Sequence, residues 1–273
     1  MMRYVDLHTH TNHSDATVSP EELVRQAKAV GLSAIAVTDH DTVSGVEPAR
    51  RAGFEYGVEV IAGVELSTEE DGVDMHILGY FLDVNHPELL EKLALFRRVR
   101  EERAEKIVRR LRDLDVHLDL DRVREIAGHG AVGRPHIAQA LLEKGYVQNF
   151  REAFQKYLGY DSPAYVPKYR MRAREAVALI RRAGGVPVVA HPAYYKKPDL
   201  ILALKEFGLA GIEVWHSDHS PEDVVFWEAF ADRHGFLKTG GSDYHGAKKN
   251  IRLGSLKLPY TLVENLRHAR AQR

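Results

Sequence analysis

Tyr4-Val-Asp-Leu-His-Thr-His-Thr-Asn-His-Ser-Asp15 is the stretch on which the reading of this chain turns. Tyr4 to Leu7 is a short run with β character, and His8, His10, His13 and Asp15 follow directly. Side chains alternate across an extended backbone, so His8 and His10 point the same way and can grip one metal ion. A single histidine beside a strand is ordinarily a surface residue. Here the same arrangement recurs at several later strand ends, which shifts the reading toward a metal site.

Beyond Asp15, Ser19 is a plausible N-cap, Pro20 takes the first helical position, and Glu21 and Glu22 favour the positive end of a helix. Leu23, Ala27 and Val30 supply its buried face and Gly31 ends it. The strand Ala34–Thr38 stops at Asp39-His40-Asp41, a short helix covers Gly45–Ala52, and the strand Val58–Val64 ends at Glu65. Val73–Phe81 reads as a further strand with His76 inside it. This β-α rhythm implies a parallel sheet buried on both faces. It returns after Tyr165, as the helix Arg172–Ala183, the strand Val186–Ala190 ending at His191-Pro192, the helix Pro198–Phe207, and the strand Gly211–Trp215 ending at His216-Ser-Asp-His219. A helix from Pro221 to Gly235, the run Leu237–Gly240 into Gly241-Ser-Asp-Tyr-His245, and a last helix Thr261–Ala271 complete it. About seven β-α units result, close to a closed barrel.

Between Pro87 and Tyr165 no convincing strand is found. Leu89, Leu90, Leu93, Phe96, Val99, Ile107, Val108, Leu111 and Leu114 recur at helical spacing, beside many arginines interleaved with Glu101, Glu102 and Glu105. That face is either a solvated helix surface or a strip that steers a polyanion. The predicted division is a barrel from 1–85 and 166–273, with 86–165 inserted as an all-helical subdomain.

Composition bounds the chemistry. With 273 residues, 44% hydrophobic and 28% charged, the chain suits one large soluble domain or a domain with an insertion. Thirty-eight basic against 39 acidic residues leave a net charge of −1, so no global field draws it to membranes or to long nucleic acid. The absence of cysteine excludes disulfides and thiolate sites and fits a reducing cytoplasm. Met1–Ser14 has no apolar core of signal-peptide type, and no run approaches the ~18 apolar residues of a membrane span. Fifteen histidines are the oddity, leaving imidazole and carboxylate as the strong metal ligands.

Ligands in such sheets gather outside the carboxyl ends of the strands. The residues at or near those ends are His8, His10, Asp15, His40, Glu65, His76, His191, Asp243 and His245. Uncompensated, they would cost several kcal/mol in desolvation, which bound cations offset. At three or four ligands per ion they suggest two or three divalent metal ions, with Mn²⁺, Zn²⁺ and Fe²⁺ all compatible with a nitrogen and oxygen set.

Leu7-His8-Thr9-His10, Thr38-Asp39-His40, Glu65, His76, His191-Pro192 and Ser242-Asp243-Tyr244-His245 resemble the PHP (polymerase and histidinol phosphatase) superfamily. The resemblance covers everything except the insert. It implies a distorted (β/α)7 barrel with a trinuclear metal site: His8, His10, Glu65 and Asp243 on one ion; Glu65, bridging, with His76 and His191 on a second; Asp15, His40 and His245 on the third. His13 is a neighbour of this set. Gly133-Arg-Pro-His136 within a helical insert is similar to the branch containing nucleoside 3′,5′-bisphosphate phosphatases and a 5′→3′ exoribonuclease of the RNase AM type. That likeness implies Arg134 and His136 as readers of a substrate phosphate, and phosphorylated nucleotides or short RNA as substrates.

Clustered divalent ions create hydroxide near neutral pH and neutralise phosphoryl oxygens, so a hydroxide bridging two ions would attack phosphorus in line with the leaving oxygen. Arg134 can grip phosphate bidentately, or cap a helix of the insert. Lys168 is a further phosphate contact, and Asp15, His216 and His219 are the catalytic candidates, the two histidines as proton donors to the leaving oxygen or as structural residues. The rival readings are a histidinol-phosphate phosphatase, a non-catalytic metal-binding PHP module, and a metal amidohydrolase. The oligomeric state is left open.

Overall fold

The computed structural model describes residues 3–128, 130–248 and 250–272. In chain order the elements are β1 (Tyr4–Thr9), α1 (Pro20–Ala29), β2 (Leu32–Val37), α2 (Val46–Tyr56), β3 (Glu59–Glu70) and β4 (Val73–Tyr80). Then come α3 (Pro87–Arg112), α4 (Leu120–Ala127), α5 (Arg134–Glu143) and α6 (Phe150–Ala153), the last running into a π-helical turn at Phe154–Leu158. The remainder is β5 (Met171–Arg172), α7 (Ala173–Arg182), β6 (Val186–Val189), α8 (Pro198–Leu204), β7 (Gly211–His216), α9 (Pro221–His234), β8 (Leu237–Gly241), β9 (Leu258–Pro259) and α10 (Thr261–Ala271). Two compact units result: Met1–Glu91 with Arg170–Arg273, and Lys92–Tyr169.

In the first unit β1, β2 and β3 are parallel, and so are β6, β7 and β8. Beyond β8 the chain runs beside β1: Tyr244 bridges Thr9 in parallel, and the His10 N–H donates to the Tyr244 carbonyl at 2.9 Å. The sheet therefore curls into a barrel, with β9 paired onto β1 and β5 onto β3. Two strands depart from the all-parallel expectation, β9 by running antiparallel to β1. β4 is antiparallel to both β3 and β6, because Glu70 pairs directly with Val73 and no helix intervenes. Asp71 (φ 49°) and Gly72 (φ 79°) form the two-residue turn, and an Asp-Gly step with both residues left-handed suits a tight hairpin. The hairpin also lengthens β3, so Glu65 lies within the strand rather than at its exit.

Local signals at α1 hold: Ser19 accepts from the Glu22 N–H at 3.2 Å, with Pro20 in the first turn. Leu23 and Ala27 are buried, but Val30 is 56% exposed, because it caps the helix and has left the inward face. The barrel core is aliphatic, built from Leu7, Ala34, Leu78, Val186 and Val188, with the Tyr80 hydroxyl donating to the Leu7 carbonyl at 2.9 Å. Each fully buried large side chain contributes about 1.5–3 kcal/mol.

The second unit has a core of its own, in which Ile107 and Leu111 of α3 meet Val123, Ile137, Leu141 and Leu158. Of the spacing-derived apolar set, Leu90 and Leu114 are exposed instead, the latter lying past the end of α3. Arg98 pairs with Glu102 at 3.8 Å, and Arg124 with Glu101 at 2.5 Å and Asp121 at 2.7 Å, so part of the arginine-rich surface is internally neutralised. No described helix is long and apolar enough to cross a membrane.

Closure depends on Gly241 at the end of β8: a Cβ there would fall 2.3 Å from the His8 backbone nitrogen. Gly241→Ala should destabilise the chain by about 3 kcal/mol through this overpacking, read as a lower urea midpoint with an unchanged slope.

Candidate metal centre

Glu65, in the middle of β3 and fully buried, is the point on which the histidines converge. Its Oε2 lies 3.1 Å from His8 Nε2, 3.2 Å from His10 Nε2 and 3.2 Å from His40 Nδ1. Its Oε1 lies 2.7 Å from His76 Nδ1 and 2.9 Å from His191 Nε2. β1 delivers His8 and His10, the turn after β2 delivers His40, β4 carries His76, and His191 follows β6. Asp243, just past β8, places Oδ1 at 3.2 Å from His10 Nε2 and 3.5 Å from His8 Nε2. His245 Nε2 is 3.1 Å from Asp15 Oδ1, and Lys248 Nζ is 3.0 Å from Asp15 Oδ2. All nine sequence-derived residues are thus drawn into one neighbourhood. Within it, His8–His10–Glu65–Asp243, His10–Asp15–His40–His245 and His40–Glu65–His76 each gather ligand atoms within 4.8 Å of one another. A cavity of about 270 Å³ opens over His40, Glu65, His76, His191, Tyr194 and Asp243.

The backbone is bent to reach this geometry. His191 (φ 28°) and Asp243 (φ 55°) both occupy left-handed conformations, which cost non-glycine residues about 1–3 kcal/mol each and persist where the surroundings impose them. Asp39 organises the loop after β1 by accepting the Thr11 N–H at 2.7 Å and the hydroxyls of Thr11 and Ser14, both at 2.6 Å. His13 turns aside to Ser44 Oγ at 2.8 Å.

Glu213 is a participant that the sequence reading passed over. Fully buried in β7, it accepts the His8 Nδ1–H at 2.8 Å and the His191 backbone N–H at 2.8 Å. That bond holds a proton on Nδ1 and aims Nε2 at Glu65 and Asp243, the arrangement by which an outer carboxylate commonly orients a metal-binding imidazole. The signal was available: a lone acid inside the apolar strand Gly211-Ile-Glu-Val-Trp215.

The electrostatics are those of a site short of positive charge. Burial alone would lower His8, but Glu213, Glu65 and Asp243 outweigh it and hold its pKa well above the ordinary imidazole value. His10 is likewise raised against its burial, to about 9, by Asp243 and Glu65. His40 goes the other way, carried down to about 3 by burial, with the neighbouring His10 adding to it. Burial opposes ionisation of Glu65, Asp15 and Asp243, yet the surrounding imidazoles keep all three carboxyls well below their usual range. Among the described residues, both nitrogens of His10, His40 Nδ1, His191 Nδ1 and His216 Nε2 are buried without a hydrogen-bond partner. Imidazole nitrogens and ionised carboxylates packed this closely, with no sulfur among them, fit divalent cations that would take the place of the imidazolium protons.

His216 ends β7, its Nδ1 accepting the Asp218 N–H at 3.1 Å and its Nε2 lying 3.6 Å from Asp243 Oδ2. His219 donates Nδ1–H to the Val214 carbonyl at 2.8 Å. The remaining candidates belong to the helical unit. Arg134 opens α5 and donates to the Leu158 carbonyl at 3.0 Å, while His136 Nδ1 accepts the Gly133 N–H at 3.1 Å and closes the first turn. Lys168, half-buried, follows near the end of that unit.

A barrel that presents histidines and carboxylates from nearly every strand end defines a metal-dependent hydrolase, and the PHP domain model matches residues 6–160. The chain belongs to the PHP family, and it is a phosphoric ester hydrolase. It is 34% identical to a 5′-3′ exoribonuclease of Haemophilus influenzae over 93% of this chain and 94% of that protein. It is also 34% identical to a 3′,5′-nucleoside bisphosphate phosphatase of Chromobacterium violaceum, over 89% and 88% of the two chains. A solved structure from Bifidobacterium adolescentis, provisionally assigned as a metal-dependent phosphoesterase, superposes with a TM-score of 0.87 at 32% identity, covering 98% of this chain and 96% of that one.

Glu213→Gln should weaken divalent-metal binding about 10- to 100-fold, measured by titration calorimetry, because His8 loses its orienting carboxylate. In the metal-free protein His10, with its pKa raised to about 9, carries a proton at pH 7 that an incoming cation must displace. Mn²⁺ affinity should therefore rise from pH 7 toward 9 with release of a proton, seen as a buffer-dependent binding enthalpy; a flat profile would contradict this.

Proposed function

We propose that the chain hydrolyses phosphate esters of nucleotides, releasing phosphate from nucleoside 3′,5′-bisphosphates or mononucleotides from the 5′ ends of short 5′-phosphorylated oligoribonucleotides. The observation that carries this reading is the convergence of five imidazoles on the two oxygens of Glu65, all within 3.2 Å. Relatives at 34% identity that are named for these two activities support it. The residues proposed as ligands are His8, His10, Asp15, His40, Glu65, His76, His191, Asp243 and His245, holding two or three ions of Mn²⁺, Zn²⁺ or Fe²⁺. Bound there, such ions acidify water and neutralise charge on the phosphoryl oxygens.

The chain's own groups do the rest. Glu65, with both oxygens engaged, spaces the ligand groups that share it. Asp15, held between His245 and Lys248, lies at the edge of the cluster as a proton acceptor. His216 is the stronger candidate for proton donor to the leaving oxygen. Its Nδ1 accepts a backbone N–H, so its neutral form keeps the proton on Nε2, which faces Asp243. His219 is lowered by burial and ties its Nδ1 proton to Val214, so at neutral pH its Nε2 accepts rather than donates. Residues 86–165, with Arg134 and His136, and Lys168 just beyond them, are assigned to substrate recognition.

The test is product analysis of the metal-loaded protein on adenosine 3′,5′-bisphosphate and on a 5′-phosphorylated oligoribonucleotide, with histidinol phosphate alongside. Asp243→Asn should reduce turnover at least about 1,000-fold with the fold intact by circular dichroism, as loss of a ligand and of transition-state charge stabilisation demands. Turnover confined to histidinol phosphate, or an Asp243→Asn variant of full activity, would overturn the proposal.

A further inference from the structure

The cavity over Glu65 carries an aromatic residue that the chemistry above leaves without a task. Tyr194 closes the short helical turn Pro192–Tyr194 that follows β6, and it lines that cavity together with His40, Glu65, His76, His191 and Asp243. Its neighbour Tyr195, half-buried, turns its hydroxyl inward to the Ala190 carbonyl at 3.1 Å, whereas Tyr194 stays 56% exposed. Exposure of one aromatic residue means little by itself. Its immobilisation means more. The ring centre lies 4.7 Å from that of His191 and 5.7 Å from that of His216, the latter edge-on at 79°. At the far end the hydroxyl donates to Asp218 Oδ2 at 2.5 Å, so one side chain ties the turn after β6 to the loop after β7.

A ring fixed at both ends has little freedom left to lose when a planar ligand settles on it. Tyr194 packs against His191, which itself touches Glu65 at 2.9 Å, and so stands one side chain back from the carboxylate. A phosphate drawn to the ligand cluster would leave the group it esterifies to extend along this wall of the cavity. A nucleobase stacks on an aromatic plane whatever its sequence identity, and a simple sugar phosphate has no such face. The geometry points to Tyr194 as the platform on which the substrate's base rests, a specificity residue supplied by the barrel unit itself. This rests on the nucleotide reading above and deepens it, because it gives the base a contact and explains selection of nucleoside esters over plain sugar phosphates.

The competing role is structural: the ring props His191 and Asp218 and meets no substrate. Equilibrium binding of adenosine 5′-monophosphate and of ribose 5-phosphate to the metal-loaded full chain separates the two. Tyr194→Leu should cut the preference for the adenosine ligand about fivefold or more, as loss of stacking requires, and Tyr194→Phe, which keeps the ring and loses the bond to Asp218, should hold that preference within about twofold. Binding should quench the fluorescence of 2-aminopurine riboside 5′-monophosphate in the wild type and in Tyr194→Phe, and should quench it less in Tyr194→Leu. If Tyr194→Leu weakens both ligands alike, or lowers Mn²⁺ affinity with the preference unchanged, the ring is a prop for His191 and the platform is refuted. Wild-type turnover of adenosine 3′,5′-bisphosphate is read separately: a preference lost in Tyr194→Leu without any hydrolysis by the wild type would sink the nucleotide reading of substrate and leave the platform standing.

Discussion

The carboxylate of Glu65 is the constraint around which the barrel is organised. One buried anion with five imidazoles against its two oxygens is a costly arrangement in a metal-free interior, where each ring nitrogen needs a partner and each charge a counter-charge. Nothing local to β3 provides for it. The compensation comes from β1, the β2 exit, β4 and the β6 exit, so the site exists only once the strands have assembled around β3. That ties function to topology: a slip of one residue in β3 would turn Glu65 to the opposite face and dismantle every one of these contacts.

Closure in turn rests on a few backbone adjustments. Asp6 accepts the Ser242 N–H at 2.8 Å and the Gly254 N–H at 2.9 Å, pinning the segment after β8 against the base of β1. Gly241 permits the close approach, and Asp243 takes its left-handed turn immediately afterward. Glu213 then fixes the tautomer of His8 from behind. The reversed strand β4 serves the same end, because the Asp71-Gly72 hairpin brings His76 back alongside Glu65 from the neighbouring strand.

Much of this was legible in the residues themselves. Strand ends were visible as apolar runs stopped by histidine and acid, and α10 occupies the span its amphipathic spacing indicated, Thr261–Ala271. What escaped had physical reasons. The direction of β4 was hidden because periodicity marks a strand without giving its polarity, and the two-residue Asp-Gly turn was the sole clue. Glu213 escaped because it lies inside a strand and touches a presumed ligand rather than the pocket. Val30, Leu90 and Leu114 show that apolar residues near helix ends need not face inward.

The helical unit encloses its own hydrophobic cluster, separate from the aliphatic lining of the barrel. Two independent interiors on one polypeptide let mutation explore one without unsettling the other. Drift in the core of Lys92–Tyr169 can proceed while the packing of the barrel stays as it was, so the two interiors are free to evolve at different speeds.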